Sequence, residues 1–234
     1  TRFIINRPAN IGQFPDNIDP VSAVSDEQAH HTRPKTYRTD HEWTLREIIR
    51  KPTLFLMMVI SVGYLGTFFA LLNHGVLHLT DNGLNGLEAA AIFGLLILGS
   101  GLARIPAGWL GDQFELRWTL FGSIALMAFA LAGFWQGQGI FLLSIMGMLF
   151  GAGYGSLLVL LPVAIGNYFG ERAFPIINSL FAPVVLPFAA AAPAGAGFVF
   201  EATGNYDFAF AGAIILLSAG MLAAFFLKPP ATPA

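Results

Sequence analysis

The chain has 234 residues, of which 55% are hydrophobic and only 11% are charged, and its net charge is −2. Residues 1–52 carry 15 charged side chains, whereas residues 53–227 carry only 10. A soluble domain is about 25% charged, so this composition excludes a soluble enzyme, a nucleic-acid-binding protein and a disordered tail for the bulk of the chain, and it indicates a membrane protein with several spans.

The first fifth of the chain is polar and irregular. Residues 1–41 contain several prolines and charges of both signs, which predicts a linker or loop without regular structure. Residues 42–51 predict a short amphipathic helix, and Thr44 with Glu47 fits a capping box at its start. We expect this helix to lie in the headgroup region, although an ordinary solvated helix on a cytosolic loop fits the same pattern.

Six apolar runs follow, and together they occupy residues 52–228. A spanning helix needs about 20 mostly apolar residues, so this block has room for six spans with short connections but not for seven. The runs are continuous rather than alternating, which favours helices over a β-barrel. The fold class is therefore predicted to be an all-α membrane protein with a six-helix transmembrane domain and a tail at 229–234. The predicted spans cover about 53–75, 87–110, 118–136, 140–166, 173–200 and the run from 207 to 228.

The charges also predict an orientation. If six spans alternate direction, the amino-terminal segment, the loops near 111–117 and 167–172 and the carboxyl terminus share one side, which then holds eleven of the twelve basic residues. The opposite loops hold only acidic residues. The positive-inside rule therefore predicts a multi-pass protein of the cell inner (plasma) membrane with both ends in the cytoplasm.

Arg104 is the one basic residue inside a predicted span. Eight helical residues separate it from Asp112, which places Arg104 about 12 Å deeper in the bilayer than the loop. A guanidinium at that depth costs about 2.5–3.5 kcal/mol, so it normally faces a bundle interior or a water-filled path. Its bidentate geometry suits a small carboxylate on a solute pathway. Snorkelling to the interface or pairing with Asp112 is the alternative.

Other polar residues of the spans are weaker candidates to line such a cavity. They are Tyr64, Asn73 and Tyr154, although the tyrosines could equally pack in the core with their hydroxyls bonded locally. His74 and His78 lie four residues apart but have no third ligand, so no metal site is predicted. The sequence contains no cysteine, no phosphate-binding loop, no catalytic triad spacing and no paired carboxylates in the membrane block, so we expect neither an enzyme nor a cofactor.

Two of the spans have a distinctive pattern of small or helix-breaking residues, one of glycines and one of prolines. Gly147, Gly151 and Gly155 form a stripe on one helical face. The simpler interpretation is that the stripe allows close helix packing, although such a stripe would also suit helices that slide past each other. The run 173–200 contains four prolines, and Pro183, Pro187 and Pro193 within it predict a broken helix of the kind common at transporter sites.

Several segments resemble a known family. Gly108, Asp112 and Arg117 match the cytoplasmic loop motif of the major facilitator superfamily, in which such residues gate the cytoplasmic side. Three residues of the loop depart from that pattern: Gln113, Glu115 and Leu116. The resemblance implies that the six spans are helices seven to twelve of a major facilitator fold, a half built as a 3+3 inverted repeat, and that the amino-terminal six-helix half is missing here.

Three further segments resemble the oxalate/formate antiporter and monocarboxylate transporter branch. They are Arg7-Pro8 with Ile11-Gly12 and Pro15-Asp16, Ala103-Arg104 with Pro106 and Gly108, and the run from Tyr168 to Phe174. The resemblance implies that Arg104 binds the substrate carboxylate. Ser100 stands where some members place an acid, which weakens proton coupling at that position, and span five lacks the lysine of oxalate exchangers.

We therefore expect secondary active transport of a small, monocarboxylate-like organic anion by alternating access. The partners would be the anion, the lipid bilayer and the amino-terminal half, with no nucleic acid. A sugar or drug carrier of the same superfamily, or a non-transporting membrane scaffold or sensor, remains the alternative.

Overall fold

The computed structural model describes residues 36–232, so most of the predicted linker and the Arg7–Asp16 segment lie outside the described residues. Seven helices are present in this described part. They are α1 (Leu45–Ile48), α2 (Pro52–Asp81), α3 (Gly86–Gln113), α4 (Leu116–Gln136), α5 (Ile140–Phe169), α6 (Phe174–Thr203) and α7 (Asp207–Phe226). The last six are long and apolar enough to cross a membrane, so the predicted all-α fold with six spans is confirmed.

Most of the helices extend beyond the predicted spans. The largest difference is in α2, which continues to Asp81, whereas the predicted span ended at residue 75. Leu79 is buried in the core, so the additional turn belongs to the packed bundle. Local capping sets other boundaries: Asn85 accepts a hydrogen bond from the Glu88 backbone at the start of α3, and Gly204 ends α6 with φ at +74°.

The prediction that the fifth span is broken was wrong. Helix α6 is continuous from Phe174 to Thr203 with Pro183, Pro187 and Pro193 inside it. Each proline removes a single backbone donor, and the remaining hydrogen bonds keep the helix intact. Helix α6 is also the least buried of the six long helices, so its proline rings meet few neighbouring side chains.

Two groups of helices form the bundle. Helix α5 packs closely on α3 and α4, helix α2 packs closely on α7 and α6, and the contact between α4 and α7 joins the groups. Helices α2 and α5 are the most buried, whereas α3 and α6 each flank one of them. Helices α2 and α5 touch each other only slightly, so their backbones stay apart. Side chains from α2, α3 and α5 can therefore approach one another between them, along one side of the bundle.

The glycine stripe explains how α3 and α5 approach so closely. Gly147, Gly151 and Gly155 lie directly against the backbone carbonyl groups of Ile92, Leu96 and Ser100, each four residues further along α3. A side chain at any of these glycines would collide with the α3 backbone or force the helices apart. The stripe is therefore a close-packing surface, as the simpler interpretation of the sequence expected.

The segment before α2 packs onto the connection between α5 and α6. The Thr39 backbone N–H donates to the Asn167 carbonyl (2.9 Å), and the Trp43 ring meets Phe169 edge-on at 5.6 Å. Of the amphipathic helix predicted over residues 42–51, only Leu45–Ile48 is helical. Hydrogen bonds from the backbone and hydroxyl of Thr44 lower the pKa of Glu47, which keeps its carboxylate charged at the start of this helix.

Candidate functional site

Tyr64 and Tyr154 come from two different helices and contact each other in the structure, and Arg104 of a third helix lies in their neighbourhood. The Tyr154 ring of α5 stacks on the Phe68 ring of α2, with centroids 3.8 Å apart and planes inclined by 4°. The Tyr64 ring lies one turn before Phe68 and 5.9 Å from Tyr154. The Arg104 guanidinium of α3 lies within electrostatic range of the Tyr154 hydroxyl. We call these four residues the arginine–tyrosine cluster.

Helix packing positions this cluster. Ser100 and Gly155 form the last close contact of the glycine stripe, Arg104 follows Ser100 by one turn, and Tyr154 immediately precedes Gly155. The α3–α5 contact therefore places Arg104 about one helical turn beyond the level of Tyr154, within electrostatic range of it. On α2, Tyr64 and Phe68 are four residues apart and share one helical face, which turns both rings toward α5.

Arg104 keeps its hydrogen-bonding capacity open. It is exposed in the structure, and within residues 36–232 it makes neither an ion pair nor a hydrogen bond. In particular, no ion pair joins it to Asp112, the acidic partner that the sequence offered as an alternative. An anion would therefore find a guanidinium with all five of its donors available, within electrostatic range of a tyrosine hydroxyl.

Asn73 does not join the cluster. It lies nine residues beyond Tyr64 on α2, about 13 Å further along the helix. Its side-chain amide donates to the Phe69 carbonyl of the same helix (2.8 Å), and it lines a separate open groove with Pro193 and Glu201. The structure thus brings together Arg104 and the two tyrosines but places Asn73 elsewhere.

The loop between α3 and α4 holds the predicted gating residues. Arg117 pairs with Glu115 at 3.1 Å and lies over the Trp118 ring at 4.9 Å, whereas Asp112 is exposed and forms no ion pair with Arg117. Gly108 faces Val159 of α5 at an ordinary contact distance. Glu115, which departs from the motif, is therefore the residue that holds Arg117 in this structure.

Sequence reasoning missed two features. Phe68 makes the closest ring contact of the cluster. Its position one turn after Tyr64 is the feature of the sequence that could have indicated this. His74 bonds to Pro193 of α6 and to Tyr206, the residue just before α7, and nothing in its local sequence showed that it would reach these two places. Within the described part of the chain, no three His, Asp or Glu side chains group closely enough to hold a metal ion.

Two matches to known proteins bear on this chain. The family model described as the Major Facilitator Superfamily matches residues 53–234. A curated relative, monocarboxylate transporter 13 of Rattus norvegicus, is 26% identical over 185 residues, which cover 72% of this chain. The aligned region is 40% of that relative, so the chain matches less than half of its length.

Proposed function

This chain belongs to the major facilitator superfamily, and we propose that it is the carboxyl-terminal half of a secondary transporter that carries a small organic anion. The resemblance stated from the sequence agrees with the family match and with the monocarboxylate transporter relative. The family is one of transporters, so we infer transport rather than catalysis, and the six apolar helices make the chain a multi-pass membrane protein.

The arginine–tyrosine cluster carries the proposal of an anionic substrate. A guanidinium within an apolar helix and without an acidic partner among the described residues favours a negatively charged ligand. A small carboxylate can accept two parallel hydrogen bonds from Arg104 and a third from the Tyr154 hydroxyl. The stacked Phe68 ring would provide an apolar wall beside it. This combination suits a monocarboxylate with a short carbon chain.

The transport cycle would need a second half. The chain covers only 40% of its relative, and α3 and α6 leave much of their surface exposed. We propose that an amino-terminal six-helix half completes the cavity and that the two halves rock around the cluster in alternating access. The basic ends of the helices would face the cytoplasm, with the protein in the cell inner (plasma) membrane.

Uptake in liposomes tests the proposal directly. The full-length protein, Arg104→Gln and Arg104→Lys would be supplied with labelled lactate, formate or oxalate. Loss of a charge-assisted bidentate contact costs about 2–5 kcal/mol, so we expect Arg104→Gln to reduce carboxylate uptake at least about 30-fold. Arg104→Lys keeps the charge without the planar fork and should retain part of the activity.

Arg172→Gln is the matched control, because Arg172 is an exposed arginine at the α5–α6 connection that pairs with Glu42. We expect its uptake to equal that of the wild type. Carboxylate uptake that survives in Arg104→Gln would contradict the assignment of the site. Uptake of neutral sugars in place of carboxylates would favour the alternative carrier class, and no uptake of any solute would favour a scaffold or sensor.

A further inference from the structure

Residues 36–44, which we call the strap, run across the last turn of α5 before the chain enters α1. Thr36 and Trp43, near the two ends of the strap, are both buried in the bundle. Three contacts join the strap to α5: the Thr39 backbone N–H donates to the Asn167 carbonyl (2.9 Å), the Tyr37 and Tyr168 rings meet edge-on at 5.9 Å, and the Trp43 and Phe169 rings meet edge-on at 5.6 Å. The strap is therefore bound to three consecutive residues at the end of one helix.

Thr39 is the residue at which the strap folds on itself. Its hydroxyl oxygen accepts hydrogen bonds from the Trp43 indole N–H and from the His41 backbone N–H, both at 3.2 Å. The His41 ring also meets the Trp43 ring edge-on, at 4.8 Å. Thr39 thus bonds to α5 through its backbone and orients Trp43 through its side chain, so these two residues act as one unit.

Trp43 also fixes the start of α2. The ammonium group of Lys51, the residue immediately before α2, lies over the Trp43 ring at 5.1 Å, which is within the range of a cation–π interaction. Eight residues lie between Trp43 and Pro52, and among them Ile48 of α1 is fully buried. Because this connection is short and packed, the start of α2 has little freedom to move away from the end of α5.

The spacing between α2 and α5 has few other supports. The two helices touch each other only slightly and belong to different groups of the bundle. Halfway along both helices, Phe68 of α2 stacks on Tyr154 of α5 with the ring centroids 3.8 Å apart. Contacts between stacked rings weaken with a separation of even 0.5–1 Å, as dispersion forces require. The strap supplies a second tie between the same two helices, at the end where α5 stops and α2 starts.

The helices connect the strap with the arginine–tyrosine cluster. Phe68 lies 16 residues after Pro52, about 24 Å along α2, and Tyr154 lies 15 residues before Phe169, about 22 Å along α5. A displacement at one end of a rigid helix is carried along its length. Arg104 follows α5, because the glycine stripe fixes α3 against α5, whereas Phe68 follows α2. A change in the α2–α5 spacing would therefore open the cluster between Phe68 and Tyr154.

We propose that Trp43 and Thr39 are positioning residues of the anion site, an inference that rests on the proposed transport function. They hold the end of α5 against the start of α2, and the resulting spacing keeps the Phe68 wall beside an anion bound by Arg104. Both residues lie about 20 Å from the cluster, so they act on the anion only through the two helices. A binding site must be held within about 0.5 Å of its productive geometry, which makes such distant support necessary.

The kinetics of anion uptake test this assignment. Trp43→Ala and the wild type would be compared as full-length proteins in liposomes, with initial rates measured over a range of labelled lactate concentrations. We expect Trp43→Ala to raise the KM at least about threefold and to keep the maximal rate per folded protein within about twofold of the wild type. A purely structural role would lower the amount of folded protein, and with it the maximal rate, but the remaining molecules would keep the wild-type KM.

Two further variants serve as rescue and control. Trp43→Phe keeps an aromatic ring against Phe169, so its KM should return to within about twofold of the wild type. Glu42→Gln changes the same strap, but Glu42 and its partner Arg172 are both exposed, and a surface pair of this kind contributes little, so the KM should not change. A wild-type KM in Trp43→Ala, or an equal rise in Glu42→Gln, would overturn the assignment. A wild type that carries no carboxylate would instead contradict the proposed function.

A milder variant covers the case in which Trp43→Ala does not fold. Thr39→Val removes the oxygen that accepts the hydrogen bonds from the Trp43 indole and the His41 backbone, while the packing of the Trp43 ring remains. Because Trp43 then loses its fixed orientation, the KM should rise at least about twofold, again with little change in the maximal rate. A wild-type KM in Thr39→Val would overturn the assignment.

Discussion

The ring and the hydroxyl of Tyr154 have separable surroundings. The ring stacks on Phe68, and the hydroxyl lies within electrostatic range of Arg104. Removing the hydroxyl leaves the stacking intact, so it isolates the polar contribution of this residue to substrate binding. The phenol would supply a neutral hydrogen bond to an anion already held by the guanidinium.

We expect Tyr154→Phe to raise the KM for carboxylate uptake by about three- to tenfold, the effect of one hydrogen bond of about 1 kcal/mol. The maximal rate should change little, because the ring still holds its position. Initial uptake rates over a range of lactate concentrations would measure both values. Tyr168→Phe on the same helix is the control, since its buried hydroxyl has no hydrogen-bond partner in the described part of the chain. An equal effect of both variants would argue against the cluster.

At the scale of the helix, the contact between α3 and α5 depends on the absence of side chains. A Cβ at Gly151 would fall against the Leu96 carbonyl group, whereas a Cβ at Gly166 on the same helix would meet nothing within 4 Å. These two glycines therefore form a matched pair on α5. Gly151 is required because the neighbouring backbone leaves no room for a side chain, whereas Gly166 only adds flexibility to the unfolded chain.

We expect Gly151→Ala to destabilise the protein by about 1–3 kcal/mol or more, because the two backbones must separate. Gly166→Ala should be neutral or slightly stabilising. Thermal unfolding in detergent would measure the difference. Since Ser100 and Gly155 belong to the same contact, Gly151→Ala should also weaken carboxylate uptake by displacing Arg104 from Tyr154. Equal stability of the two alanine variants would contradict this account of the stripe.

Across the whole bundle, charge separates the two ends. Arg117, Arg172 and Lys228 lie at one end, and the helix termini at the other end carry the acidic residues Asp81, Glu88, Glu201 and Asp207. The alternating direction of the six helices places these groups at opposite membrane surfaces. The positive-inside rule predicts that the basic end faces the cytoplasm. The absence of cysteine from this sequence makes the prediction simple to test.

Single cysteines would be introduced at two exposed positions, Gln138→Cys in the α4–α5 connection and Glu171→Cys in the α5–α6 connection. The background would be a full-length protein without other reactive cysteines. A membrane-impermeant thiol reagent added to intact cells should label position 138 and leave position 171 unlabelled. Position 171 should react only after the membrane is opened. The reverse pattern of labelling would show that the basic end faces outward.

The sequence by itself determined the number of spans, their alternating direction and the placement of a single arginine within them. Each of these depends on the apolar length and charge of one segment, which a helix must satisfy in a bilayer whatever its neighbours are. The family resemblance also followed from short motifs such as Gly108 with Asp112 and Arg117, and the family match confirmed it.

Only the tertiary structure decided which polar residues meet. Tyr64, Tyr154 and Arg104 share one side of the bundle, Asn73 does not, and His74 reaches α6 and the residue just before α7. These positions depend on how each helix is rotated and how closely it approaches its neighbours. Glycines facing carbonyl groups on another helix set that approach, and each glycine lies 55 residues after its partner in the chain.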